Sequence, residues 1–113
     1  MTAELITKLE QNGFNRWTKG NLDRLYINAA QLGLVCTYYK TGNISSATFR
    51  GESISNCKAR KMKASKTFID LKSDTVYSDD AAMAHAAAEM TGLAYTAKEW
   101  DTIIKLGSAE EVA

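Results

Sequence analysis

The sequence predicts an α+β fold in which a small, mainly antiparallel sheet of about four or five strands packs with helices at both ends of the chain. Short runs of β-branched and aromatic residues mark the middle of the chain, and apolar residues at helical spacing mark both ends. The 113 residues are 45% hydrophobic and include no proline. This length and composition suit one hydrophobic core, so we interpret residues 1–113 as a single domain.

The first predicted element is an N-terminal helix. Thr2 is placed to cap it, and Leu5 and Leu9 fall on its apolar side. Gly13 should end the helix. Phe14 then lies where it can pack back on Leu9, as in a Schellman motif.

Two strands are predicted next, on either side of one short helical turn. Residues 16–20 are polar apart from a tryptophan and are not assigned to a strand, whereas 24–28 are rich in β-formers. Asn28 can cap a helical turn over 29–32, which the following glycine stops. Residues 34–39 form the second predicted strand.

A tight hairpin turn is predicted at residues 40–43, Lys-Thr-Gly-Asn, because glycine and asparagine tolerate the positive φ that such turns require. A strand at 47–50 should return from it. Ser55 then occupies an N-cap position in front of a central basic helix over 56–65.

A second hairpin and two C-terminal helices complete the predicted fold. Strands at 67–71 and 75–77 flank a turn, and Asp79 or Asp80 caps an alanine-rich helix that Gly92 ends.

The last helix is predicted from a capping box formed by Thr96 and Glu99. Its apolar stripe contains Trp100 and Ile104, and Gly107 should end it.

Composition bears on the cellular compartment. No apolar run approaches the ~20 residues that span a bilayer, and the first residues lack the basic-then-apolar pattern of a signal peptide. We therefore expect a cytoplasmic protein without membrane contact. In that compartment Cys36 and Cys57 should stay reduced rather than form a disulfide.

No pattern typical of a catalytic, cofactor or metal site occurs in the sequence. His85 is the only histidine and should face solvent, and neither cysteine belongs to a C-x-x-C pair. No G-x-S-x-G, phosphate-binding loop or dinucleotide fingerprint is present. We predict no catalytic residue, no cofactor and no metal, although a site built from Tyr, Lys and Arg stays open as an alternative.

Charge is distributed unevenly along the chain. Residues 1–68 carry 11 Lys and Arg against 4 Asp and Glu, whereas 69–113 carry 3 against 9. Such asymmetry is associated with nucleic-acid or acidic partners. If folding interleaves the two halves, the charges mix and no basic surface results.

The basic excess is concentrated between residues 34 and 68, which contain seven cations and one acid. The central helix spreads its cations around most of its circumference, so it should pack poorly and present charge to solvent. Together with two adjacent tyrosines, these cations form the predicted partner-binding surface: Tyr38, Tyr39, Lys40, Arg50, Lys58, Arg60, Lys61, Lys63 and Lys66.

Three interpretations of this surface are open: a nucleic-acid face, a face that docks on an acidic protein, and a solvated lysine-rich helix without a partner. Residues 30–34, Ala-Gln-Leu-Gly-Leu, are similar to a helix-turn-helix turn. The β-branched and aromatic residues that follow argue against a recognition helix.

Four short segments in the middle third of the chain carry a resemblance to known proteins: DRLYIN at 23–28, LGL at 32–34, YKTGNIS at 39–45 and ISN at 54–56. With them the chain resembles small accessory proteins of bacterial conjugative elements and prophages, a class of cargo that includes anti-CRISPR and other anti-defence proteins. The resemblance implies a non-catalytic inhibitor that engages a host nucleic-acid-handling complex. A direct DNA- or RNA-binding accessory protein is the alternative, and a small enzyme is the second alternative.

Overall fold

The computed structural model describes residues 1–92, 98–99 and 103–106, and within these ranges the chain is an α+β structure with two sheets and four helices that are described over their whole length. The helices are α1 (Ala3–Gln11), α2 (Ala29–Leu32), α3 (Asn56–Ala64) and α4 (Ala81–Met90). The strands are β1 (Asn15–Lys19), β2 (Leu22–Asn28), β3 (Leu34–Tyr38), β4 (Ile44–Phe49), β5 (Glu52–Ile54), β6 (Lys66–Asp70), β7 (Val76–Ser78) and β8 (Ile104–Leu106). The predicted α+β class is confirmed.

The larger sheet has the strand order β1-β2-β6-β7-β8. Its pairs are antiparallel except for β7 and β8, which run parallel with Val76 opposite Ile104. The smaller sheet has the order β3-β4-β5 and is wholly antiparallel. Its register places Leu34 opposite Phe49, with an irregularity between Thr37 and Tyr38.

The main core lies between the larger sheet and helices α1 and α4. Leu25, Ile69 and Val76 from the sheet are fully buried, as are Leu9 on α1 and Met83 on α4. Alternation along each strand sends these side chains to one face, and their neighbours in sequence therefore lie on the other.

The opposite face of the larger sheet holds a buried arginine among aromatic rings. The Arg24 side chain is 1% exposed, and its guanidinium lies 4.7 Å from the Tyr77 ring centroid and 5.9 Å from those of Trp17 and Phe68. Its Nε is 3.6 Å from Asp70, the residue directly opposite on β6. Strands β1, β2, β6 and β7 are thus joined by one cation.

The helix caps predicted from sequence are confirmed. Thr2 Oγ1 accepts from Leu5 N at 3.2 Å, and Asp80 Oδ1 accepts from Met83 N at 3.1 Å. At the end of α1, Phe14 N donates to Leu9 O at 3.1 Å. One detail is wrong: Asn28 precedes α2, but its side chain makes no capping hydrogen bond.

The predicted count of four or five strands is wrong, since the described residues form eight. Residues 15–19 are strand β1 because Trp17 pairs across from Arg24 and packs against Phe68 with ring centroids 5.2 Å apart. The three-residue strands β5 and β8 were also missed. Pairing with longer neighbours stabilises such short segments, and a single sequence does not reveal it.

The predicted last helix is wrong at its C-terminal end. Ile104 lies in strand β8 beside β7, where its β-branched side chain suits a pleated surface. Glu99 and Ile103 are helical. The predicted contributions of Thr96, Trp100 and Gly107 lie outside the described residues.

Gly33 gives a direct test of the turn between α2 and β3. Its φ is 120°, and an added Cβ would lie 2.8 Å from Arg50 Cγ. We expect Gly33→Ala to lower the free energy of unfolding by about 1–3 kcal/mol. Gly51→Ala is the control, because Gly51 also has a positive φ of 87° but has nothing within 4 Å of an added Cβ. If urea unfolding showed that both variants lose the same free energy of unfolding, a steric clash at Gly33 would be contradicted.

Stability at low pH tests the ionised Asp70 carboxylate, which accepts hydrogen bonds from Ser73 and Lys72 and lies beside Arg24. Burial favours the neutral carboxyl, but N–H groups of Ser73 and Lys72 and the charge of Arg24 hold the pKa of Asp70 below its ordinary value. The unfolded chain therefore binds this proton more tightly, so the stabilisation is complete above about pH 4 and is lost as pH falls through the folded-state pKa.

We expect Asp70→Asn to cost about 1–2 kcal/mol at neutral pH and to flatten the loss of stability below about pH 4. Asp79→Asn makes the same change of charge at an exposed position and should keep the wild-type acid dependence. Circular dichroism can follow the unfolding of both variants from about pH 2.5 to about pH 7. This range brackets the ordinary pKa of a carboxyl group, roughly 4. If Asp70→Asn lost stability at low pH as steeply as the wild type, the Asp70 carboxylate would not be the group responsible.

Candidate partner-binding cleft

A cleft lies between the β3–β4 hairpin and one flank of helix α3, and its volume is about 390 Å³. We call it the Tyr38–Lys63 cleft. Its lining combines an aromatic ring, two cations, two amide side chains and the backbone of the turn: Tyr38, Gly42, Asn43, Ile44, Asn56, Arg60, Lys63 and Ala64.

The hairpin wall of the cleft is fixed by local hydrogen bonds. Tyr39 N donates to Asn43 O at 2.8 Å, and Gly42 N donates to Tyr39 O at 2.9 Å. Gly42 has a φ of 91°, a conformation that favours glycine. The turn predicted at 40–43 is therefore confirmed, and it fixes the end of β3 that carries Tyr38.

The helical wall is held by a cap and by a narrow buried stripe. Ser55 Oγ accepts from Lys58 N at 3.1 Å, as predicted. The expectation that α3 packs poorly is wrong, because Ala59 and Met62 are fully buried. Residues three apart lie on one helix face, so two apolar side chains suffice to seat this short helix on the smaller sheet.

An amide bridge ties the start of α3 to β4. Asn56 Nδ2 donates to Ile44 O at 3.1 Å and reaches Ser45 O at 3.5 Å. The cap, the stripe and this bridge together fix the rotation of α3, and with it the choice of cations that face the cleft.

The central contact of the cleft joins Lys63 to Tyr38. Lys63 Nζ donates to Tyr38 Oη at 2.7 Å and lies 4.7 Å from the ring centroid. The ammonium therefore lies at the hydroxyl end of the ring, where it contacts both the hydroxyl oxygen and the ring. This hydrogen bond raises the pKa of Lys63 above its ordinary value, so the side chain is charged at neutral pH.

Arg60 lies on the same flank of α3 as Lys63, one turn earlier, and lines the same cleft. Lys58 and Lys61 do not line it. At about 100° per residue they fall on the other flank of the helix. The cations of α3 are thus divided between two flanks.

The structure brings together only part of the predicted surface. Tyr39 and Lys40 are exposed in or beside the turn, next to the cleft but not in its lining. Arg50 instead pairs with Glu89 on α4, with Nη1 and Oε2 2.8 Å apart. Lys66 lies 5.1 Å from the Tyr26 ring centroid on the larger sheet. The basic and acidic halves of the chain therefore mix at Arg50.

A second depression adjoins the first and shares Tyr38 and Lys63 with it. We call it the β3-edge groove; its volume is about 550 Å³. Small and apolar side chains of α2 and β3 predominate in the full lining: Asn28, Ala29, Ala30, Leu34, Val35, Cys36, Tyr38 and Lys63.

The sequence did not predict the groove, nor that the amides Asn43 and Asn56 line the cleft. The signal for Asn56 is weak, since it follows an N-cap serine and reads as an ordinary first-turn residue. Nothing in the sequence marks Ala29 and Ala30 as site residues, because alanine has no functional group and contributes to the groove only by its small size.

The electrostatics of both depressions are one-sided. No Asp or Glu is among the described residues that line either depression. Lys63 lines both of them, and Arg60 lines the Tyr38–Lys63 cleft. Arg60 and Lys63 are exposed at the surface. The arrangement can therefore attract an anionic group and hold it by hydrogen bonds from a guanidinium and an ammonium.

Among the described residues, no three His, Cys, Asp or Glu side chains lie together as a metal site would require, and Cys36 and Cys57 are free thiols. Within the part of the chain that the structure describes, no helix is long and apolar enough to cross a membrane. His85 is exposed on α4, as predicted.

We compared the chain with protein-family models, with curated protein sequences and with solved structures, and found no match. What the cleft does is therefore inferred from its residues and their geometry.

Proposed function

We propose that this protein is a non-catalytic binding protein whose Tyr38–Lys63 cleft engages an acidic surface of a partner protein or protein–nucleic-acid complex. One observation carries the proposal: Lys63 contacts the exposed Tyr38, and Arg60 lines the same depression, which has no carboxylate among its described lining residues. Tyrosine and arginine are also the residue types that dominate the energy of protein interfaces.

Exposed apolar surface around the cleft supports a macromolecular partner. Val35 is 63% exposed, Tyr39 61% and Tyr38 44%, and all three lie on or directly beside β3. Large exposed side chains that cluster rather than scatter are typical of interaction sites. The cations would steer an acidic partner to the cleft, and the aromatic and aliphatic groups would supply the buried contact.

The resemblance to accessory proteins of mobile elements suggests the kind of partner. A host defence complex that handles nucleic acid would be blocked if this protein covered a surface needed for substrate entry or assembly. Such inhibition requires tight contact and no chemistry, so a cleft that binds an anionic group is sufficient for it.

Direct nucleic-acid binding is the second candidate, and the tyrosines favour it. Tyr38 is 44% exposed and Tyr39 is 61% exposed, so both could stack on bases next to cations. The division of the α3 cations counts against a long track of phosphates. Lys58 and Lys61 lie across the helix from Arg60 and Lys63.

Charge reversal on the two flanks of α3 tests the proposal. We expect Arg60→Glu with Lys63→Glu to reduce recovery of the partner from nuclease-treated host lysate at least tenfold, because the cleft would then repel an acidic surface. Lys58→Glu with Lys61→Glu is the matched control, with the same change of net charge on the other flank. Quantitative mass spectrometry of the captured protein gives the ratio. Equal losses in both variants would contradict a specific cleft.

Salt dependence separates the two candidates. With a fluorescent single-stranded oligothymidylate, we expect weak binding that falls less than about tenfold between about 50 and 200 mM salt, since few phosphates can be contacted at once. Tight binding with a steep salt slope, weakened by Arg60→Ala and Lys63→Ala, would favour the nucleic-acid function instead. Nuclease treatment that abolishes partner recovery would point the same way.

A further inference from the structure

We infer that the free edge of β3 takes up an extended acidic segment of the partner by strand addition, with a carboxylate of that segment on Lys63. The inference rests on the proposed function and deepens it by naming the mode of docking. It depends on three observations: the direction of the β3 backbone groups, the shape of the β3-edge groove, and the charge at one end of that groove.

The first observation is that β3 presents unpaired backbone groups to the groove. In the described residues β3 pairs with β4 alone. Gly33 O accepts from Arg50 N at 3.0 Å, and Thr37 O accepts from Ser45 Oγ at 3.0 Å, so the odd-numbered residues point their backbone groups toward β4. Backbone direction alternates along a strand.

Leu34, Cys36 and Tyr38 therefore direct their N–H and C=O groups away from β4. All three residues line the β3-edge groove, which confirms that the groove runs along this edge. An extended chain laid in the groove could exchange hydrogen bonds with these residues, as in strand addition to other exposed sheet edges.

The first part of the edge also lacks the usual protection against pairing. Proteins guard edge strands with lysine, proline or inward-pointing charge, whereas β3 has the sequence Leu-Val-Cys-Thr-Tyr. Its one irregularity lies at Thr37 and Tyr38, at the end nearest Lys63. The first part of the edge is regular.

The second observation is the space beside the edge. Ala29 and Ala30 of α2 also line the groove, and neither carries a side chain large enough to fill it. Alternate side chains of an added strand would enter this space and the others would face solvent. The groove thus suits valine- or leucine-sized residues at every second position.

The third observation is charge, and it decides the occupant. Lys63 lies at the Tyr38 end of the groove, and no acid is among the described residues lining it. A second copy of this chain, pairing through its own β3, would bring no carboxylate, because residues 34–38 contain none. Nucleic acid lacks the alternating donors and acceptors that a strand edge pairs with. An extended protein segment with an acidic residue satisfies all three observations.

The test uses two synthetic fluorescein-labelled peptides of alternating valine and threonine, with two aspartates at either the N- or the C-terminus to cover both strand directions. We expect one of the two peptides to bind. Lys63→Glu in the protein, or replacement of the aspartates in that peptide by lysines, should each weaken binding at least tenfold. The signature of strand addition is alternation: N-methylation of one set of alternate peptide amides should weaken binding at least tenfold, and the shifted set should change it less than about threefold.

A backbone variant of the protein provides the independent arm. Cys36→Pro removes an N–H that points into the groove and spares the β3–β4 hydrogen bonds, a position where an edge strand tolerates proline. Peptide binding should be lost while the unfolding transition persists. Cys36→Val, which keeps the N–H, should bind like wild type.

The outcomes separate this inference from the proposed function. Absence of binding by both peptides at about 1 mM, or equal effects of the two N-methylated sets, would overturn strand addition. If partner capture still required Arg60 and Lys63 in that case, the proposed function would stand without it. Dimerisation through β3, or displacement of the peptide from the groove by oligothymidylate at low salt, would show another occupant and would likewise overturn the inference.

Discussion

The buried guanidinium of Arg24 is the constraint on which the larger sheet depends. A charge taken out of water must be compensated, and here Asp70 and the rings of Trp17, Phe68 and Tyr77 supply the compensation from three other strands. Shifting any of these strands by one residue would move its partner to the other face of the sheet. The arginine therefore selects one register for four strands.

That register determines where the candidate site lies. β2 continues directly into α2, so the strand that carries Arg24 also places Ala29 and Ala30 beside β3. Gly33 then reverses the chain in a space too small for a side chain. The positions of Ala29 and Ala30 in the β3-edge groove thus depend on packing within the larger sheet.

Different faces of helix α3 have different roles. Ala59 and Met62 seat it on the smaller sheet, whereas Arg60 and Lys63 are left on the flank that faces the hairpin. Two cations of α3 accordingly share a small cleft with Tyr38, whereas Lys58 and Lys61 lie on the other flank and do not extend it into a stripe. This form suits a localised acidic group on a protein better than a run of phosphates.

The sequence by itself determined the local features: the caps at Thr2, Ser55 and Asp80, and the hairpin turn that contains Gly42. Each depends on hydrogen bonds or on φ angles within about five residues, so the information is contiguous. Tertiary structure alone decided the strand at Trp17, the change of Ile104 from helix to strand, and the separation of Arg50 from Lys63. These depend on partners tens of residues away, whose register no local pattern encodes.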